Sequence, residues 1–309
     1  MYPNINHSDG LAIAKIFQKM PSGNLRFKKF LKISKINDLQ ERKKEYDANK
    51  ENLQIVPIYH HQNEDDPNRY YLTGTGGSGK SHMARLIGLD YLKQYPRHKI
   101  VLISGIPRED EKIFYCGNRE KIYSKKTGCG KIIADIKKLH EKDRELTEKE
   151  LDKIEKMEEK IKNCKSCGFF KKLKIDESIL DDPIDISIFK DCLVIFDDID
   201  RLNDDEIIKE LEKIKKKIFN SGRTSGISVM TIDQLALSGY KTQNEKNNSL
   251  NIIVFPQLSP KHQVASYLKK YLLYDNNTIS KILQLPSRWV MLNSCVPNYI
   301  LWDQGCELL

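Results

Sequence analysis

The residues with the clearest chemical meaning form one glycine-rich segment, Gly74-Thr75-Gly76-Gly77-Ser78-Gly79-Lys80-Ser81. This segment matches the pattern G-x-x-x-x-G-K-[ST], and it lies between a predicted strand and a predicted helix. Glycines at these positions let backbone N–H groups curl around a phosphate, and the helix N-terminus adds partial positive charge. The segment therefore predicts an ATP site, with Lys80 on the β- and γ-phosphates and the Ser81 hydroxyl on Mg²⁺.

Two aspartates follow the apolar run Leu193-Val194-Ile195-Phe196, which is predicted to be a buried strand. Carboxylates at such a strand end serve phosphoryl transfer in two ways, by holding Mg²⁺ and by polarising the attacking water. We expect Asp197 to hold Mg²⁺ through water and Asp198 to polarise the attacking water. Asp200 is a nearby alternative for the second role, and a simple helix cap is the alternative use of the pair.

Three further polar residues are candidates for contact with the nucleotide triphosphate or with the attacking water. Gln234 follows the predicted strand at 227–232, at the edge where an open α/β sheet places ligands. It is expected to sense the γ-phosphate or to orient water, unless it is only a turn residue. Arg223 and Arg288 are candidates for an arginine that acts on the nucleotide of a neighbouring subunit. A solvated arginine in a turn is the alternative for Arg223.

The elements that must position these residues alternate between strands and helices. Buried apolar strands separated by helices indicate an α/β fold with a central, mostly parallel sheet flanked by helices. We predict a basic helical N-terminal arm over residues 1–54, with helices at 11–20 and around 27–31, and an ATPase domain over 55–106 and 177–309. Strands are predicted at 55–58, 69–73, 99–104, 192–196, 227–232 and 251–255, and helices at 80–95 and 204–220.

Residues 107–176 are predicted to form an inserted helical hairpin. Its arms, 131–146 and 147–163, have nearly equal length, and Thr147 and Glu150 have the spacing of a capping box at the start of the second arm. Equal arms bring the cysteines that flank them to one base, where four thiolates would bind Zn²⁺ tetrahedrally. The spacing of the first two cysteines is not that of a zinc knuckle, so incidental thiols remain the alternative. The four candidates are Cys116, Cys129, Cys164 and Cys167.

The composition favours a soluble protein that binds a polyanion. The 309 residues contain 52 Lys and Arg against 43 Asp and Glu, which gives a formal net charge of +9. Residues 15–50 alone carry eleven Lys and Arg against four Asp and Glu, and clustered positive charge is typical of nucleic-acid binding. The longest apolar run, Cys192–Phe196, is far shorter than the ~20 residues that span a bilayer. We expect an intracellular protein, neither secreted nor membrane-spanning, because the first ten residues contain no apolar signal segment.

Together these motifs resemble those of the genome-packaging ATPases of large DNA viruses and virophages, within the FtsK–HerA superfamily of P-loop ATPases. The resemblance implies a RecA/FtsK–HerA-like fold and a homo-oligomeric ring that uses ATP to move double-stranded DNA into a capsid. It also implies contact with capsid vertex proteins and a location in the host cytoplasm, a viral factory or the virion. One departure is Thr224, where the family often has histidine. The matching segments are 74–81, 193–198, 221–223, Gln234, 279–290 and 297–300.

Two other classes of function remain open on the sequence. The chain could be another P-loop enzyme, either a helicase-like ATPase or a nucleoside kinase, although no arginine-rich lid of the kinase type is evident. It could also be a zinc-dependent nucleic-acid-binding or scaffold module with an idle nucleotide pocket. Phosphate transfer to an acceptor separates the kinase from the ATPase, and DNA binding that ignores ATP favours the scaffold module.

Overall fold

A computed structural model of the chain describes residues 2–37, 40, 42–49, 53–59, 67–105, 135, 139, 147–162, 170–173, 175–181, 184–234, 248–294 and 297–309. The chain forms two compact units, one made of Met1–Lys80 with Asp233–Leu309 and the other of Ser81–Ile232. None of the helices within the described ranges is both long enough and apolar enough to cross a membrane.

The described elements alternate between strands and helices over the middle of the chain, whereas its two ends are rich in strands. The strands are β1 Tyr2–Asn6, β2 Leu11–Lys19, β3 Leu25–Ile36, β4 Glu45–Asp47, β5 Leu53–Pro57, β6 Arg69–Thr73, β7 Lys99–Ser104, β8 Phe170–Lys172, β9 Cys192–Asp197, β10 Ser228–Asp233, β11 Asn251–Val254, β12 Val290–Asn293, β13 Tyr299–Trp302 and β14 Gly305–Leu308. The α-helices are α1 Lys80–Gln94, α2 Glu148–Lys162, α3 Ser178–Asp181, α4 Asp205–Ser221, α5 Lys261–Tyr271 and α6 Asn276–Gln284.

The first unit contains an antiparallel sheet in the order β1-β3-β2-β5. One side of this sheet is apolar, with buried side chains at Ile5, Ile16, Leu31 and Ile55. The same unit contains a second run of strands in the order β4-β14-β13-β12-β11-β6, in which only the β11–β6 pair is parallel. Helices α5 and α6 cover strands of this second run through Val264, Leu268, Ile279, Ile282 and their neighbours in one apolar cluster.

The prediction of helices in the N-terminal arm is wrong, because both segments are strands. Register shifts in the β2–β3 pair, between Ala12 and Ala14 and between Ile16 and Phe17, interrupt the strict alternation of a strand. Buried positions at 13, 14 and 16 then have spacings that imitate one face of a helix. The segment predicted to end the first helix is the hairpin turn, in which the Met20 N–H donates to the Asn24 carbonyl at 2.9 Å.

The second unit has a parallel sheet in the order β10-β9-β7-β8. Helix α4 packs against one face of this sheet through Ile207, Leu211, Ile214 and Ile218. Helix α1 buries Met83, Ala84, Ile87 and Leu92 among other residues. These elements agree with the predicted α/β class, whereas the antiparallel strands β12, β13, β14 and β4 of the first unit make the overall strand pairing mixed rather than mostly parallel.

The described part of the insertion agrees with the second arm of the predicted hairpin. Helix α2 begins at Glu148, and both the backbone N–H and the hydroxyl of Thr147 donate to Glu150 Oε2, at 3.1 and 3.0 Å. The bond from the Thr147 N–H is one half of the predicted capping box, whereas the Glu150 N–H donates to the Thr147 carbonyl at 2.9 Å and not to the hydroxyl. The first arm is described only at residues 135 and 139, and the four candidate zinc ligands Cys116, Cys129, Cys164 and Cys167 lie outside the described residues.

Two other cysteines are ordinary packing residues. Cys192 and Cys306 are free and buried. Burial raises the pKa of both thiols, which keeps them protonated and poorly reactive.

Candidate nucleotide site

The phosphate loop, residues 74–79, joins strand β6 to helix α1 in the predicted strand–loop–helix order. Gly77 has φ of +76° and Gly79 has φ of +103°, a region that strains any residue with a Cβ. A Cβ added at Gly76 would meet nothing within 4 Å, so the tip of the loop faces open space. The loop therefore has the curled backbone and the open front that a phosphate cradle needs.

Lys80 begins helix α1 and folds back over the phosphate loop. Its Nζ donates hydrogen bonds to the carbonyl oxygens of Gly74, at 2.7 Å, and of Thr75, at 2.9 Å. The side chain is half-buried, so the ammonium group is held close to the loop backbone. A single positive charge thus lies beside the curled backbone that is predicted to bind the phosphates.

A support for the phosphate loop comes from residues that the sequence did not reveal. The Thr75 N–H donates to Ser259 Oγ at 3.3 Å, and Thr75 Oγ1 donates to the Leu258 carbonyl at 2.7 Å. A Cβ on Gly74 would lie 3.0 Å from Phe255 Cδ2, so this glycine permits a close approach. Strand pairing brings these residues to the loop, because β11 runs parallel to β6 and Val254 lies opposite Thr73. The local sequence does not indicate this pairing.

Ser78 places a buried hydroxyl within the phosphate loop. Its side chain is buried, and its Oγ has no hydrogen-bond partner among the residues that the structure describes. The same oxygen would be 2.7 Å from a Cβ added at Gly74, so the hydroxyl lies inside the curl of the backbone. Buried hydroxyls normally find a partner, and an anion held in the loop is a suitable acceptor.

The predicted acidic pair ends strand β9 in the second unit. Strand β9 lies between β7 and β10, with Asp197 opposite Ser104 on one side and Ile232 on the other. Asp197 is buried, and its carbonyl accepts a hydrogen bond of 3.2 Å from the Gly105 N–H. A buried carboxylate at the carboxyl end of a central parallel strand is where α/β proteins place ligand-binding groups.

Asp198 has a left-handed backbone, with φ of 46° and ψ of 44°, before a short 3-10 turn over Ile199–Arg201. Residues other than glycine seldom adopt this conformation, and such positions cluster at functional sites. Arg201 Nε lies 3.2 Å from Asp198 Oδ2. Arg201 was not predicted, and Asp200, the sequence alternative to Asp198, is exposed in the same turn.

The other predicted residues fall in the two units as follows. Ser81 is the second residue of α1 and belongs to the unit that contains Asp197, so the two predicted Mg²⁺ ligands share one unit. Arg223 is exposed in a 3-10 turn, Gly222–Ser225, of that unit. Gln234 and Arg288 are exposed residues of the other unit, which also holds the phosphate loop and Lys80.

The donor set fits magnesium and not a transition metal. A serine hydroxyl and a carboxylate are hard oxygen ligands, and Mg²⁺ commonly takes only one or two of these from the protein beside phosphates and water. No group of three or more His, Cys, Asp or Glu residues poised for a metal occurs in the described part of the chain. Ser81 and Asp197 are therefore the residues that would hold Mg²⁺.

The chain is similar in sequence to a virophage protein and in structure to several solved proteins. No protein-family model matches the chain. In sequence it is 27% identical over 242 residues to the uncharacterized protein V3 of the Sputnik virophage, which covers 77% of this chain and 76% of that protein.

Among solved structures, the chain is similar to the genome packaging NTPase B204 from Sulfolobus turreted icosahedral virus 2, in complex with ATP-gammaS. The TM-score is 0.41 at 12% identity, covering 80% of this chain and 97% of that one. It is also similar to VirB4 of Thermoanaerobacter pseudethanolicus, with a TM-score of 0.43 at 10% identity over 99% and 97% of the two chains.

Proposed function

We propose that this chain is an ATP-hydrolysing motor that moves double-stranded DNA into a viral capsid during virion assembly. The observation that carries the nucleotide part is the geometry of the phosphate loop, with positive φ at Gly77 and Gly79 and the Lys80 ammonium folded against it. The DNA part is supported by the sequence resemblance to viral packaging ATPases and by the basic N-terminal strands. The proposed fold family is the FtsK–HerA-like group of P-loop ATPases.

In the proposed reaction, the phosphate loop and Lys80 bind the phosphates of ATP. Backbone N–H groups of residues 76–79 and the N-terminus of α1 bind the β-phosphate oxygens. Lys80 exchanges the carbonyl oxygens of Gly74 and Thr75 for β- and γ-phosphate oxygens, because a charge-assisted bond to an anion is stronger than a bond to a neutral carbonyl. Ser78 Oγ gains an acceptor in the same step.

The hydrolytic end is assigned to the acidic pair and its neighbours. Ser81 and Asp197 would hold Mg²⁺, and the bound ion would neutralise charge on the phosphate oxygens. Asp198 accepts a proton from the attacking water, and Gln234 orients that water. Arg223, with Arg288 as its alternative, supplies positive charge to the nucleotide of a neighbouring subunit in a homo-oligomeric ring. Both arginines are exposed, as a group that reaches another subunit must be.

The proposed setting follows from the resemblance alone. The partners are double-stranded DNA, further copies of the chain in a ring, and proteins of the capsid vertex. The location is the host cytoplasm or viral factory, with the virion itself as a second place. Zinc at Cys116, Cys129, Cys164 and Cys167 stays a separate proposal, which metal analysis of the purified protein tests directly: about one equivalent supports it, and a small fraction of one contradicts it.

Movement along duplex DNA is the property that tests this proposal against other P-loop enzymes. A duplex that carries an annealed third strand reports movement, because a translocating motor displaces that strand. We expect displacement that requires ATP and Mg²⁺ and that is absent in Lys80→Ala. ATP hydrolysis without displacement would contradict translocation, and phosphate transfer to an added nucleoside would indicate a kinase instead.

A further inference from the structure

The strands β2 and β3 carry an unusual charge distribution. Residues 11–36 contain seven Lys and Arg and no Asp or Glu. Lys29 lies over the Tyr46 ring at 5.9 Å, and Lys32 Nζ donates to the Ser8 carbonyl at 3.0 Å. None of the seven forms an ion pair with a residue that the structure describes. The positive charge of strands β2 and β3 is therefore not balanced by an acidic side chain of the same two strands.

Aromatic rings are exposed in the middle of these cations. The Phe27 ring lies 5.8 Å from the Phe17 ring and 5.1 Å from the Phe30 ring, both with tilted edge-to-face geometry. Phe27 is 46% exposed and Phe30 is 38% exposed. Two neighbouring phenylalanines left this open are costly in water, and such patches mark interaction sites.

A bulge in β3 puts these rings on one face of the sheet. Phe17 pairs with Phe27, Ile16 with Lys29 and Lys15 with Phe30, which leaves Lys28 without an opposite residue. In a regular strand, positions 27 and 30 point to opposite faces, whereas the extra residue allows both rings to share a face. The aromatic–basic face, as we define it, consists of Lys15, Phe17, Lys19, Phe27 and Phe30.

We propose that the aromatic–basic face binds a nucleic-acid strand through unpaired bases. The rings of Phe27 and Phe30 stack on successive bases, and the lysines of β2 neutralise phosphates beside them. A strand with unpaired bases offers both flat π-faces and a regular row of negative charge, which are the two features that this face complements. A duplex offers only the charge, because its bases are already stacked.

A second copy of the chain fits this face less well. A two-fold contact between identical faces would bring Lys15 and Lys19 of one copy against the same lysines of the other, with no acidic residue of β2 or β3 between them. Like charges placed opposite each other in an interface oppose association. The inference goes beyond the proposed motor function, since duplex translocation needs no unpaired bases and this face is built from strands that lie outside the phosphate loop.

Binding of a labelled single strand to the full-length protein, in the absence of ATP, tests the proposal. The probe is a mixed-sequence oligonucleotide longer than about 16 nucleotides, the upper end of the site sizes of single OB-fold domains, and the matching duplex is measured in parallel. The test variant is Phe27→Ala/Phe30→Ala. The matched control is Leu273→Ala, which removes an apolar side chain that is 85% exposed in the same unit.

We expect the double variant to lose about tenfold or more in single-strand affinity, and little in duplex affinity, because base–aromatic stacking needs unpaired bases. Lys15→Ala/Lys19→Ala should weaken the binding of both probes and lower the salt dependence for the single strand by about 0.7 per lysine in the logarithmic slope. Leu273→Ala should bind like the wild type. Thermal melting confirms that each variant is folded.

Unchanged single-strand affinity in Phe27→Ala/Phe30→Ala would overturn the inference. If the oligomeric state in sedimentation changes in the same variant, the face is assigned to contacts between subunits instead. Lys80→Ala separates this proposal from the motor function. If Lys80→Ala still binds the single strand, the inference holds. That result does not depend on whether the wild type hydrolyses ATP, so the motor function can fail while the inference stands.

Discussion

Arg201 Nε lies 3.2 Å from Asp198 Oδ2, across the short 3-10 turn that follows strand β9. The carboxylate end of this pair is largely enclosed, with 15% of the Asp198 side chain exposed, whereas 57% of the Arg201 side chain is exposed. The pair therefore fixes the direction of a carboxylate whose backbone is already held in a left-handed conformation. Its contribution is to orientation rather than to the free energy of unfolding, because an exposed arginine gains little from a surface ion pair.

Removal of Arg201 should slow ATP turnover without unfolding the protein. We expect Arg201→Ala to lower kcat by about three- to tenfold, with KM for ATP little changed. The reason is that a less well oriented Asp198 raises the activation free energy by roughly 1 kcal/mol. Arg201→Lys should recover part of the rate. Steady-state kinetics check the prediction, and an unchanged kcat in Arg201→Ala would mean that the pair has no part in the reaction.

The two acidic candidates after Asp197 can be separated by matched substitutions. Asp198→Asn keeps a side chain that tolerates the left-handed backbone and removes the carboxylate, so the fold should persist while turnover falls by about 10²- to 10⁴-fold. Asp200→Asn makes the same chemical change at an exposed position two residues away and should leave turnover near the wild-type rate. The reverse ranking would move the proposed base to Asp200.

Glycine at position 79 is required by the backbone of the loop. Gly79→Ala places a Cβ on a residue with φ of +103° and should lower the free energy of unfolding by at least about 1 kcal/mol in the absence of nucleotide. Gly76→Ala is the control, since its φ is not in the positive region and an added Cβ has open space. Chemical denaturation without nucleotide gives both values. Equal stability of the two variants would contradict the loop geometry described above.

Local sequence signals predicted the core of the candidate site well. Strand β6 was predicted with its observed ends, and the predicted strand at 192–196 is one residue shorter than β9. Both strands are apolar runs with a clear C-terminal boundary. The first run ends at the glycine-rich segment 74–81, and the second ends at Asp197 and Asp198. The contact between Thr147 and Glu150 was also predictable, because its hydrogen bonds join residues only three positions apart in the sequence.

Features that depend on distant parts of the chain were missed. Ser259 supports Thr75 across 184 positions, and nothing in either local sequence indicates that β11 pairs with β6. The N-terminal strands were assigned to helices because their bulges mimic helical spacing, and only pairing with a partner strand reveals the bulges. Arg201 was missed since an arginine in a polar turn has no distinctive pattern until the turn brings it against Asp198.

The most direct test of the central claim is the rate of ATP hydrolysis by the full-length protein with and without duplex DNA. The proposed motor predicts Mg²⁺-dependent hydrolysis that duplex DNA stimulates several-fold. It also predicts loss of hydrolysis in Lys80→Ala and wild-type hydrolysis in Lys93→Ala, which removes an exposed lysine from the last turn of the same helix. Undiminished hydrolysis in Lys80→Ala would contradict the nucleotide site, and a rate that duplex DNA does not change would contradict the motor.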